Sequence, residues 1–190
     1  MSNPDTKEIA FIEWLNGLII DRGAMAILRR GLGKPPGTVH QMDRYILKFF
    51  SDKLEDSEYS RYYLIASLFA FWYQGKDEPV SDSPPDLGAS LRSLVDIESD
   101  NNNRDDIEKR HEKRFAALLN CHKDEMPEHL RHIISLLKSK NIAINWAQLL
   151  CDLRGWDRED HSVQRTWARS FWIAQPPLEP VNQQITNKKE

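Results

Sequence analysis

"YYLIASLFAFWY" at residues 62–73 is the longest apolar run in the chain, and its reading decides the fold. It falls well short of the roughly 18 apolar residues that a membrane-spanning helix needs. With Tyr59 in front of it, Tyr62, Tyr63, Ala66, Phe69 and Tyr73 recur at helical spacing, and the faces between them are apolar as well. A helix that is apolar nearly all round belongs at the centre of a bundle. No stretch elsewhere alternates convincingly enough to be a strand.

The segments before this run are helical too. Phe11, Trp14, Leu15, Leu18 and Ile19 share one face of a first helix, with Asn3 as its expected N-cap and Pro4 in its first turn. "DRG" at 21–23 breaks that helix. A second runs from Ala24 to Arg30 and ends at Gly31, and Met42, Tyr45, Ile46 and Phe49 mark a third. After the apolar run, "QGKDEPVSDSPPDLG" at 74–88 has linker composition, and a short helix follows around Leu87, Leu91, Leu94 and Val95. "ESDNNNRDD" at 98–106 is expected to be polar and mobile. Four more helices are predicted over Ile107–Leu119, Pro127–Leu137, Asn145–Leu153 and Asp160–Ile173, with Asn145 and Asp160 as N-caps and Gly155 as a C-cap.

The expectation is an all-α protein of two small packed helical bundles. An N-terminal bundle covers residues 1–75 and a C-terminal bundle 106–174. An acidic, Pro-containing linker at 76–105 with one short helix joins them, and a disordered tail fills 175–190. Each bundle has only about 70 residues, so each needs the other's surface to complete its core.

The 190 residues carry a formal net charge of −3, which is not the balance of a wholly basic nucleic-acid binder. The charge is unevenly spread. Residues 1–75 hold nine cations and nine acids, residues 76–105 three and eight, and residues 106–174 twelve and ten. The acidic excess sits in the middle, which leaves room for a basic face on either side of it. The N-terminus has neither the basic nor the apolar region of a signal peptide. With only Cys121 and Cys151, no disulfide framework is expected. Both features point to a cytoplasmic protein that does not engage a membrane.

Several chemistries can be set aside. In "AMAILRRGLGKPPG" (24–37), Gly33-Lys34 imitates the end of a phosphate-binding loop. That motif needs a glycine where Leu28 stands, Ser or Thr where Pro35 stands, and a strand before it. Cys121, His122, His129 and His132 are zinc-ligand types, but their spacing matches no common zinc module, and no metal or other cofactor is expected. No nucleophile has an evident base, and no pair of acids stands out from solvent-facing helix positions. What remains is a set of arginines beside apolar helix faces in both bundles: Arg29, Arg30, Arg114, Arg131, Arg154 and Arg158. Arg29 and Arg30 could simply cap a helix end. Guanidinium groups held on a rigid scaffold also suit contacts to a phosphate backbone.

The order of "AILRRGLG", "LGASLRSL", "KRFAALLNCHKDEMPEHLRHIISLLKSKNIAINWAQLLCDLRGWD" and the Trp-rich "RTWARSFW" resembles the small subunit of the type I-E CRISPR Cascade complex, the CasB-type family, over about residues 8–173. The resemblance implies a non-enzymatic subunit of an RNA-guided antiviral complex. Two copies would lie head to tail against the backbone subunits and the large subunit. They would stabilise the R-loop formed by crRNA and the target and non-target DNA strands. It places the family's basic positions on Arg30, Arg114, Arg131, Lys123, Arg154 and Arg158, and Arg29 and Lys34 join them by proximity. Asn120 departs from a position that can be basic in the family, and the acidic linker and polar tail look like insertions. The competing expectation is a helical protein–protein adaptor without nucleic-acid contact.

Overall fold

A computed structural model describes residues 3–50, 55–80, 83–99 and 104–173. The described residues contain helices and no strand. The helices are α1 (Thr6–Gly17), α2 (Arg22–Arg29), α3 (Asp43–Ile46), α4 (Asp56–Trp72), α5 (Leu87–Ser99), α6 (Arg104–Asn120), α7 (Met126–Ser139), α8 (Trp146–Arg154) and α9 (Ser162–Trp172). The tail expected to be disordered lies outside the described residues.

The apolar run forms the heart of α4, and its position explains its composition. Tyr62, Tyr63, Ile65, Ala66, Leu68, Phe69, Ala70 and Trp72 are all buried, because α2, α7 and α8 pack around this helix. Phe69 meets Trp146 of α8 edge to face at 5.4 Å, and Phe11 of α1 lies 4.6 Å from Tyr62. Contacts of this kind add about 0.5–1.5 kcal/mol beyond the area they bury. The buried side chains of the two halves of the chain form one continuous hydrophobic cluster.

In the second half α5 packs against α6, α7 and α9. Its contact with α9 is close enough that any side chain at Gly88 would overlap the backbone carbonyl of Trp167. Two buried acids tie α9 to its neighbours, Asp86 at the start of α5 and Asp152 on α8. Asp86 accepts from Ser170 Oγ at 2.6 Å and from the Ala89 amide at 2.9 Å. Asp152 accepts from Trp167 Nε1 at 2.7 Å and from Gln148 Nε2 at 2.7 Å.

Helix starts and ends differ from expectation in four places. The N-cap of α1 is Asp5 rather than Asn3: its carboxylate accepts from the Glu8 amide at 2.8 Å, and Glu8 accepts from the Asp5 amide at 2.9 Å. This reciprocal pair satisfies two free donors where Asn3 would satisfy one. "DRG" is the start of α2, not merely a break, because Asp21 caps it through the Ala24 amide at 2.9 Å. The third helix is a single α turn between 3-10 turns at His40–Met42 and Leu47–Phe49. Of the polar stretch at 98–106, residues 98–99 and 104–106 are helical. Arg92, Asp96, Arg104 and Glu108 form an ion-paired network there, and His111 Nε2 lies 2.9 Å from Glu98. Asn145 and Gly155 cap α8 as expected. Asp160 does bond the Ser162 amide, from one residue before the N-cap position.

Candidate nucleic-acid interface

Three of the basic residues singled out in the sequence meet in one groove of about 570 Å³. Lys34 comes from the loop after α2, Lys123 from the turn between α6 and α7, and Arg131 from the exposed face of α7. The loop reaches α7 because Gly33 has a positive φ of 72°, a conformation that disfavours a side chain. A Cβ on Gly33 would lie 3.2 Å from Arg131 Nη1, so the absence of one leaves the guanidinium its place.

Arg61 completes the groove and was not picked out from the sequence. It stands on the first turns of α4, where Ser57 and Ser60 also line the wall and the helix has not yet entered the core. Its Nε donates to the Ser57 carbonyl at 3.3 Å. The signal that could have found it was the break in apolarity before Tyr62: a single arginine, with serines one and four residues earlier. Asp124 and Glu128 line the groove as well, so four cations face two carboxylates.

Lys123 also lines a neighbouring groove of about 880 Å³ together with Arg158 and with Arg165, a further cation that sequence reasoning missed. Asp157 and Glu159 lie in the same wall, and Lys123 Nζ is 3.1 Å from Asp157. The two grooves therefore share a lysine, with Lys34, Arg61 and Arg131 in the first and Arg158 and Arg165 in the second.

The other four basic residues do not line these grooves. Arg154 is engaged structurally: its Nη1 lies 2.7 Å from Asp5 and 3.4 Å from buried Glu8, which ties the end of α8 to the start of α1. Arg30 is exposed and its Nη1 donates to Gln41 at 3.0 Å. Arg29, half-buried, lines a third cavity beside Arg22 and Lys76. Arg114 is exposed on α6, four residues after Arg110 on the same face.

Cys121 is held protonated, its pKa raised by burial and by the Glu125 carboxylate, and burial pushes the Cys151 thiol up to about 11. A thiol ligates a metal or attacks a substrate as the thiolate. Among the described residues no three His, Cys, Asp or Glu side chains are grouped to hold a metal ion. Asp152, whose carboxyl is pushed up to about 6 chiefly by burial, lines none of the three cavities; its oxygens serve Gln148 and Trp167. Guanidinium and ammonium groups along an open groove can bind successive phosphates without regard to base. No helix among the described residues is long and apolar enough to cross a membrane.

Comparison with known proteins gives a consistent result. Residues 24–172 match the family described as CRISPR-associated protein Cse2. A curated relative, the CRISPR-associated protein Cse2 of Thermus thermophilus, is 29% identical over 169 residues, covering 86% of this chain and 89% of its own length. The crystal structure of M. ruber CasB superposes with a TM-score of 0.67 at 28% identity, over 88% of this chain and 93% of that one. A chain of a CRISPR RNA-guided surveillance complex shares the fold, with a TM-score of 0.69 at 23% identity over 87% of this chain and 91% of that one.

Proposed function

The chain belongs to the CRISPR-associated Cse2 family, and on that premise we propose that it is a non-catalytic subunit of an RNA-guided surveillance complex that holds nucleic-acid strands by their phosphates. The observation that carries the reading is the groove of Lys34, Arg61, Lys123 and Arg131, four cations brought from four separate segments to one surface. A structural cousin is a chain of a CRISPR RNA-guided surveillance complex, which supports assembly with the other subunits of such a complex; in the proposed assembly this chain also packs against a second copy of itself. An R-loop replaces one duplex by another of similar stability. A few phosphate contacts to a displaced or target strand therefore suffice to bias it open.

The test is a Lys34→Gln, Arg131→Gln double variant. Each phosphate neutralised on a single strand contributes about 0.7 to the slope of log affinity against log salt, so the double variant should flatten it by about 1.4. Target binding by the assembled complex should weaken in parallel. An unchanged slope together with unchanged target binding overturns the reading.

The ion pairs Lys123–Asp157 and Arg154–Asp5 favour a second reading, a protein–protein adaptor whose basic residues are matched to its own acids. It predicts no salt-dependent strand binding in the wild type.

A further inference from the structure

The third cavity, about 360 Å³, shares no lining residue with the Lys34–Arg131 groove. Arg22 and Arg29 of α2 and Lys76, just beyond the end of α4, line it. Lys138 of α7 stands beside them, at the edge of the cavity rather than in its wall. Its Nζ donates to the Phe71 carbonyl at 2.6 Å and to Gln74, itself a lining residue, at 3.3 Å, and the Arg29 charge bears on it. Lys76 Nζ lies 2.9 Å from the centroid of the Trp72 ring and bonds Asn141 Oδ1 at 2.5 Å.

All the named partners of the two lysines are neutral. Among the described residues none of the four cations has a carboxylate within 4.0 Å, although Asp77 lies in the cavity wall. Capping the end of α4 accounts for Lys138 but not for the other three. A helix C-terminus carries only about half an elementary negative charge, and with Asp77 added most of the four positive charges still stand uncompensated. Burial and mutual repulsion show in both ammonium groups: Lys76 is pushed down to about 8 by burial and by the Lys138 charge, and Lys138 is lowered by burial and by Arg29. Like charges gathered on separate elements, three of the four half-buried, call for an anion.

We propose that this cavity is a second oxyanion site, separate from the groove, in which Arg22, Arg29, Lys76 and Lys138 hold one phosphate group. Two flexible ammonium groups and a planar guanidinium fork match the several oxygens of a phosphate. Its source is either a phosphodiester of a bound strand or a free phosphate or nucleotide. The site stands on its own contacts and does not depend on the groove.

The full-length chain is acylated on its amines near pH 8 in phosphate or in chloride of equal ionic strength, and labelling at each lysine is counted by peptide mass spectrometry. An oxyanion that raises the Lys76 ammonium by about one unit slows its labelling about fivefold. Lys138 should be protected in the same sense, while the exposed Lys109 and Lys113 of α6 label equally in both salts. Arg22→Gln, at an exposed first position of α2, and Arg29→Gln should each lose most of the protection while keeping the helical circular dichroism spectrum.

A short single-stranded oligonucleotide then replaces the phosphate. Protection of Lys76 by both assigns the site to strand phosphates, and protection by phosphate alone assigns it to a free phosphate or nucleotide. Equal labelling of Lys76 in phosphate and chloride, or protection that survives both arginine variants, overturns the proposal. Failure of the oligonucleotide to protect Lys34 and Lys123 would count against the groove alone.

Discussion

Replacing Asp152 by asparagine should stabilise the protein at neutral pH and leave it almost unchanged in mild acid. Asp152 is 4% exposed, with both carboxylate oxygens bonded inside the core. Burial pushes its carboxyl from 3.8 up to about 6; the Trp167 and Gln148 hydrogen bonds pull the other way, and the charge of Asp86 adds to the push. Between those two values the folded protein keeps a proton that the unfolded chain has released. The stability this contributes is therefore complete below about pH 4 and is lost as the pH rises through about 6. A shift of about two units corresponds to ~3 kcal/mol, a large share of the 5–15 kcal/mol by which a domain of this size is stable. Asparagine keeps the shape and an acceptor for Trp167 Nε1, and Gln148 can turn its amide to match. Urea unfolding, followed by tryptophan fluorescence from pH 4 to 7.5, should show Asp152→Asn near wild type at the acid end and about 2–3 kcal/mol more stable at the neutral end. Glu8, also raised mainly by burial, is present in both proteins and cancels in the difference; the repulsion between Asp86 and Asp152 disappears in the variant and is already counted in the Asp152 shift. A difference that is constant with pH, or a variant that is the less stable at pH 7.5, would refute the reasoning. The second result would mean that the ionised carboxylate gains more from its two donors than it loses by burial.

Two further perturbations separate packing from binding. Gly88→Ala forces a methyl group into the Trp167 carbonyl and must push α5 and α9 apart; overpacking of this kind costs about 1–3 kcal/mol, read as a lowered thermal midpoint without loss of helix content at low temperature. Arg154→Ala removes the tie between α8 and α1 and leaves Glu8 buried without its cation, which should cost about 1–2 kcal/mol after allowance for the exposed side of the pair. Its salt-dependent strand binding should match the wild type, whereas a flattened salt slope would return Arg154 to the interface.

Much of the fold was legible because burial writes a period into the sequence. The all-round apolarity of residues 62–73 marks α4 as central, and Trp146, Leu149, Leu150 and Leu153 mark the face of α8 that meets it. The departures come where energy is carried by pairs that period does not encode. Residues 98–99 and 104–106 look like a polar loop, yet Arg92, Asp96, Arg104 and Glu108 make helices of them through charges on neighbouring elements. Asn3-Pro4 has the composition of a helix start, but Asp5 and Glu8 satisfy each other's amides. The candidate site was legible by residue type and not by position. Arginine beside an apolar face reads the same whether its head group meets solvent, as in Arg131, or a carboxylate 149 residues away, as in Arg154. Adjacent Arg29 and Arg30 looked alike in sequence, and only tertiary packing sends one into a cavity with Arg22 and the other to Gln41.

Net charge is a poor guide to such a protein, and the reason is screening. At physiological salt the Debye length is about 8 Å, so a strand phosphate in the groove responds to the charges around it and hardly at all to acids more than a helix diameter away. The eight acids of residues 76–105 set the sign of the whole chain. The groove has its own balance of four cations to two carboxylates. Asp124 and Glu128 within the groove weaken each phosphate contact. For a subunit that is proposed to bias a nearly balanced exchange of strands, that weakness is an advantage. A groove of undiluted positive charge would hold any nucleic acid it met, whereas a diluted one holds a strand only when neighbouring subunits have already brought it within reach.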